Sequence, residues 1–204
     1  MKIAVCGDSF MAVDHRLPGK HFSELLTNQF DIINLALPGV STFDICLQIE
    51  EAILQKVDYI IIGPTHGPRV EIIDPASSPF QLSSDISLKN FRPGKDKHFI
   101  SRNIVSLLDR KTEFKLSNQV VDAMKMYISH IHIQEIDEIK NNWLIGYWTN
   151  QIEKNNIRYK VLPRDFCIYY EFFVNGNNID FPSFHTDTAT QELAAKILKE
   201  EILK

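Results

Sequence analysis

The chain has 204 residues, of which 44% are hydrophobic and 24% charged, the balance of one soluble globular domain with a substantial core. A formal net charge of −4 leaves no basic footprint and argues against a nucleic-acid partner. No apolar run approaches the ~20 residues that cross a bilayer, so no membrane partner is expected, and the short N-terminal run does not make a signal peptide. Cys6, Cys46 and Cys167 are widely spaced and odd in number, which predicts free thiols in a reducing compartment and a cytoplasmic location.

Ile3, Ala4, Val5 and Cys6 form an uninterrupted apolar run that stops at Gly7. This predicts a strand buried on both faces, followed by a sharp turn. After a polar loop (MAVDHRLPGK), Phe22, Leu25 and Leu26 fall at i, i+3 and i+4, on one helix face. The segment DIINLAL at 31–37 reads as a second strand, closed by Pro38-Gly39. Ser41 or Thr42 is placed to cap a helix whose Ile45, Ile49, Ala52 and Ile53 keep the helical period. DYIIIG at 58–63 is a third apolar strand ended by glycine. Three strand–turn–helix cycles within about sixty residues predict a right-handed parallel α/β sheet.

From about residue 70 to 115 the pattern gives way to a long irregular excursion rich in proline, serine and charge. Residues 117–154 read as mostly helical, with Val120, Val121, Met124, Tyr127, Ile128 and Ile131 on one apolar stripe. The rings of WLIGYW at 143–148 are expected in the core, or on a partner surface if they are exposed. Tyr159 and Val161 alternate with polar neighbours, as in a final, less buried strand. FCIYYEFF at 166–173 fits either a strand or a helix. A capping-box spacing from Thr188 to Gln191 opens a last helix carrying Leu193, Ile197 and Leu198. No internal repeat or domain boundary appears, so residues 1–204 read as a single domain with an insertion at about 70–115.

Loops after neighbouring parallel strands gather at the carboxyl edge of a sheet, which brings residues 7–9, 38–42 and 63–69 together. Ser9 lies in the first of these loops, where a hydroxyl acts as a nucleophile given a base, a group to orient that base, and donors for an oxyanion. The Gly39 N–H, near a helix start, is placed to meet developing negative charge. Among seven histidines, His185 is best placed as the base, in a loop just before the C-terminal helix. His15 and His21 flank the first loop, and His98 sits in the excursion. His130 and His132, at i and i+2 of a helix, do not share a face, so no metal site is expected there or elsewhere. Neither GxGxxG nor GxxxxGK[ST] occurs, and no cofactor is expected. Arg69 fits a clamp for an anionic substrate group, or an ion pair with Glu71 or Asp74.

Gly7-Asp8-Ser9 straight after an N-terminal strand resembles the first block of the GDSL/SGNH hydrolase family, with Ser9 in the nucleophile position. NLALPG at 34–39 is similar to the second block, whose glycine supplies an oxyanion N–H. The third block of the family is Gly-x-Asn-Asp; here Gly63-Pro64-Thr65-His66 puts Thr65 in the asparagine position. The final block is Asp-x-x-His followed by a helix, which FHTDTATQELAAKIL resembles around His185. Pro182 stands three residues before His185 and Asp180 stands five before, so an Asp180–His185 pair needs a loop two residues longer.

The resemblance implies an α/β fold, a three-layer α/β/α sandwich with a flavodoxin-like parallel sheet. It also implies a serine esterase working through an acyl-serine intermediate, with Ser9 as nucleophile, His185 as base and Asp180 orienting it. Ser9, Gly39 and Thr65 would form the oxyanion hole; beside them His66 reads as a substrate contact or simply as a loop histidine, and Arg69 as a substrate contact. A small-molecule or carbohydrate ester, bulky or sugar-borne, suits an excursion able to cover the site. Two other readings stay open, an acyltransferase using the same Ser–His pair and a binding or structural protein in which catalysis has lapsed. The sequence sets no oligomeric state.

Overall fold

The N-terminal apolar run becomes the central strand of the molecule, β1 (Lys2–Gly7), because its residues face core on both sides. The computed structural model describes residues 1–13, 18–65, 69–73, 99–109, 112, 116–162 and 188–204. In chain order β1 is followed by α1 (Phe22–Leu26), β2 (Asp31–Asn34), α2 (Thr42–Leu54) and β3 (Tyr59–Gly63). Next come β4 (Arg69–Ile73), β5 (Phe99–Asn103), α3 (Ile104–Asp109) and α4 (Asn118–Met126). A π-helical turn at Tyr127–Ile131, α5 (Gln134–Lys154), β6 (Arg158–Val161) and α6 (Thr188–Ile202) complete the described elements.

Four strands pair in parallel in the order β2-β1-β3-β6. This order is the flavodoxin-like one, in which the chain reverses direction of travel across the sheet beside β1. Alternation inside the apolar runs divides the core in two. Ile3, Val5, Tyr59 and Ile61 face a layer with Phe22 and Leu26 of α1 and Ala194, Leu198 and Ile202 of α6. Ala4, Cys6, Ile60 and Ile62 face Ile45, Ile49 and Ala52 of α2 and Ile152 of α5. Helices therefore cover both faces, giving the expected three-layer α/β/α sandwich. Among the described residues no helix is long and apolar enough to cross a membrane.

Several expectations shift in detail. β2 ends at Asn34, but the chain stays beside β1, with Leu35 N–H donating to Val5 O at 2.8 Å and Leu37 N–H to Gly7 O at 3.2 Å. Two stretches of the excursion form an antiparallel ribbon, with β4 paired to β5 from Arg69↔Asn103 to Ile73↔Phe99. Ile131 leaves the apolar stripe and is exposed, because the π turn shifts the phase of the helix by one residue, about 100°. The Thr188–Gln191 capping box is not formed as expected: Thr188 is already helical, and Gln191 Oε1 instead accepts from Phe22 N–H at 2.8 Å, tying α6 to α1.

The rings at 143–148 separate by helix phase. Trp148 packs on the core layer with Ile145 and Ile152, whereas Trp143 is 74% exposed and Tyr147 is 57% exposed. Positions 145, 148 and 152 form one stripe on α5, and 143 and 147 lie more than a quarter turn from it, too far round to reach the sheet. FCIYYEFF at 166–173 lies outside the described residues.

Candidate active site

Ser9 is half-exposed on the turn that follows β1. Four sets of contacts hold that turn. Gly7 N–H donates to Gln48 Oε1 at 2.7 Å, and Gln48 Nε2 donates back to Gly7 O at 3.2 Å, so a side chain from α2 reads both backbone groups at the strand end. Asp8 O accepts from Met11 N–H and Ala12 N–H, each at 3.0 Å, which closes one turn of helix-like chain around Ser9. Met11 drops into the space above two glycines, Gly7 and Gly63, which are register partners in β1 and β3. A Cβ on Gly63 would come within 2.3 Å of Met11 Cγ, so the missing side chains are what admit the methionine. Asn34, at the end of β2, donates to Met11 O at 2.8 Å and to Ser23 Oγ at 3.0 Å, tying the second strand to the first loop.

The fourth set centres on Asp8, which is 3% exposed. Its Oδ1 accepts from Phe10 N–H at 3.1 Å, an Asx-type turn. Its Oδ2 accepts from Thr65 Oγ1 at 2.6 Å and from Arg69 Nη2 at 2.8 Å. One carboxylate thus joins the loop after β1 to the loop after β3 and to the first residue of β4. The ion pair is shielded, with the Arg69 side chain only 12% exposed, so it interacts in a lower dielectric than a surface pair.

Sequence reasoning pointed to Glu71 or Asp74 as partners for Arg69; Asp8 is a partner among the described residues, and Asp74 lies outside them. Thr65 lies beside the site, but its single hydroxyl proton is directed to Asp8; donation to an oxyanion would require that bond to open. Gly39 has φ +81°, in the left-handed region that favours glycine, just ahead of the Ser41 cap of α2. Among the described residues neither the Ser9 N–H nor the Gly39 N–H has a hydrogen-bond partner. The Ser9 hydroxyl is likewise unpartnered there.

His185, Asp180 and His66 lie outside the described residues. His21, one of the two histidines flanking the first loop, is buried as the N-cap of α1, with Nδ1 2.7 Å from Ser23 Oγ and Nε2 3.3 Å from Phe10 O. His132 Nδ1 lies 3.0 Å from Asp137 Oδ2. Among the described residues no three His, Cys, Asp or Glu side chains come together as a metal site. Cys6 and Cys46 are free and buried; burial first, then the neighbouring Cys46, pushes the Cys6 thiol far up, and burial pushes Cys46 up to about 12, with the Asp44 carboxylate adding to it. Neither is a nucleophile near neutral pH.

Residues missed from sequence are Asp8, Gln48, Asn34 and Met11, all of which shape the Ser9 turn. The one available signal was Asp8 itself, an acid in a turn next to a candidate nucleophile. A cavity of about 260 Å³ opens between the start of α2 and the N-terminal half of α5, bordered by Thr65 and Arg69, the two side chains that bond Asp8. A smaller one of about 150 Å³ shares Thr42, Thr65 and Asn141 with it.

No family model and no curated protein matches the sequence. Among solved structures the chain is similar to the psychrotrophic esterase EstA from Pseudoalteromonas sp., at 13% identity and a TM-score of 0.41, covering 98% of this chain and 96% of that one. It is similar to TesA at 11% identity and a TM-score of 0.40, covering 96% and 94% of the two chains. A GDSL-like lipase from Bacteroides thetaiotaomicron aligns at 11% identity and a TM-score of 0.37, over 98% of this chain and 87% of that one. At these TM-scores the likeness adds nothing to what the strand order and the Ser9 turn establish for this chain.

Proposed function

We propose that the protein is a serine ester hydrolase in which Ser9 attacks an ester carbonyl, forming an acyl-serine that water then hydrolyses. In this reading His185 takes the Ser9 proton and returns it to the departing alcohol, then activates water for the second step, with Asp180 orienting its ring. The Ser9 and Gly39 amides hold the oxyanion, and Thr65 joins them only by releasing Asp8. Arg69 and His66 border the substrate. The acyl group sits on a small alcohol or a carbohydrate, and the protein works as a soluble cytoplasmic enzyme without a cofactor.

One observation carries the reading: a half-exposed serine, its amide and hydroxyl unpartnered among the described residues, sits on a turn braced at four places at the carboxyl edge of a flavodoxin-like sheet. The anchoring of α6 supports His185 as base. Its first turn is tied to Phe22, and Phe22 follows His21, whose ring reaches the backbone of Phe10 beside Ser9. His185 lies three residues ahead of α6 in sequence. The commitment of the Thr65 proton to Asp8 favours the second reading, a binding protein whose catalysis has lapsed, since loss of one oxyanion donor costs about 10²–10³ in turnover.

Labelling with a small fluorophosphonate separates the two. Strong labelling of the wild type, abolished in Ser9→Ala and in His185→Ala, is the expected result. An unlabelled but folded wild type would leave the binding reading, and labelling that persists in His185→Ala would assign the base elsewhere. Acceptor-dependent product formation would instead indicate acyl transfer.

A further inference from the structure

The helical segment that sequence reasoning left without a role forms one wall of the cavity bordered by Thr65 and Arg69. Asp137, Lys140, Asn141 and Leu144 of α5, at i, i+3, i+4 and i+7, line it on one side. On the other side lies the start of α2, where Thr42 is 3% exposed and its Oγ1 is buried without a hydrogen-bond partner among the described residues. Leaving a buried hydroxyl without a partner is costly, so this atom favours any occupant that bonds to it.

Charge narrows the occupant. The cavity's two cations each already face a carboxylate, Arg69 at 2.8 Å from Asp8 and Lys140 Nζ at 3.4 Å from Asp137 Oδ1. Among the described residues that line the cavity no unbalanced positive charge remains to draw an anion, and an anion would also meet Asp137. An acyl chain would leave the Thr42 hydroxyl and the Asn141 amide unpaired. What suits the wall is a neutral group that donates and accepts at several points and offers a C–H face to the rings of Phe43 and Tyr127, which also line the cavity. At about 260 Å³ the space falls just below the ~300–1,000 Å³ of sites for drug-sized ligands, which suits one ring rather than a chain.

We propose that this cavity is a subsite for a single pyranose ring, with Thr42, Asp137 and Asn141 as its hydrogen-bonding residues. That the ring carries the ester attacked by Ser9 rests on the hydrolase reading above; the binding itself does not. The test uses Ser9→Ala protein, which cannot turn over substrate, and methyl glycosides of glucose, galactose and mannose together with N-acetylglucosamine. Binding is read by saturation-transfer NMR and titrated by chemical-shift change. At least one pyranoside should bind at millimolar concentration, and Thr42→Val and Asn141→Leu should each weaken it by a factor of about two to ten. Both substitutions preserve shape or lie on the helix surface, and circular dichroism confirms that each variant is folded.

Absence of binding by all four sugars to folded protein overturns the proposal, as does binding that neither substitution weakens. Binding of octanoate or inorganic phosphate in their place, weakened by the same substitutions, replaces it with an acyl or an anion subsite. Failure of fluorophosphonate labelling alongside pyranoside binding would remove the hydrolase and keep the subsite, whereas labelling without sugar binding would remove the subsite alone.

Discussion

Asp8 stands beside the candidate nucleophile but serves it through structure rather than through proton transfer. Its two oxygens gather Phe10 N–H, the Thr65 hydroxyl and the Arg69 guanidinium, which fixes the turn carrying Ser9 against the loops of β3 and β4. Truncation to alanine would remove the carboxylate that faces a shielded guanidinium, a loss of about 3–5 kcal/mol for a buried pair. Asp8→Ala should therefore lower the urea midpoint strongly, and Asp8→Ala combined with Arg69→Ala should cost clearly less than the sum of the two singles. Additive losses in that cycle would mean that the pair does not act as a unit. The placement of Ser9 and Gly39 on turns was legible from sequence because strand ends, turns and helix starts are local features. The role of Asp8 was not, since Thr65 and Arg69 lie 57 and 61 residues away and nothing local selects them from the other acids and cations of the chain.

At the level of elements, the closest fit is between β1, β3 and the first loop. Gly7 and Gly63 face each other across the sheet, and Met11 fills the space their missing side chains leave. Gly63→Ala would press a methyl to 2.3 Å from Met11 Cγ and 2.6 Å from Sδ, an overpacking worth about 1–3 kcal/mol. Met11→Ala removes a buried side chain and should cost about 2–5 kcal/mol by itself. The two together should be less damaging than their sum, because the new methyl occupies part of the vacated space. Gly7→Ala should not be rescued in this way, since its added Cβ also meets the backbone oxygen of Gly63 at 2.9 Å. Equal rescue of both glycine variants in denaturant titrations would contradict this packing. The apolar runs of β1 and β3 and the period of α2 predicted their elements well, because burial on both faces and on one stripe leaves a periodic trace. The exposure of Trp143 and Tyr147 was not foreseen, since which face of α5 turns to the sheet is settled only by tertiary packing.

Over the whole molecule, both core layers depend on one short sheet, and the α2 side of it buries two thiols. The fold class was readable because three strand–helix cycles admit few topologies; the ribbon of β4 and β5 was not, as its strands are separated by residues 74–98 and pair only through tertiary contact. The thiols make stability depend on alkaline pH. Burial raises both Cys6 and Cys46 above their ordinary value of 9.0, and it raises Tyr59 as well, with Glu201 adding and Arg158 opposing. The folded state therefore keeps protons that the unfolded chain releases once the pH passes 9.0. Stability should be unaffected by these groups below about pH 8 and should fall above about pH 9, by up to ~1.4 kcal/mol per pH unit for each thiol. Urea midpoints measured from about pH 7 to about pH 10 should show that decline. The double variant Cys6→Ala, Cys46→Ala should start from lower stability, through lost core volume, yet show a flatter dependence. Cys167 is retained in both proteins, so the difference in slope isolates the buried pair. An equally steep decline without Cys6 and Cys46 would assign the alkaline sensitivity to other groups, Tyr59 first among them.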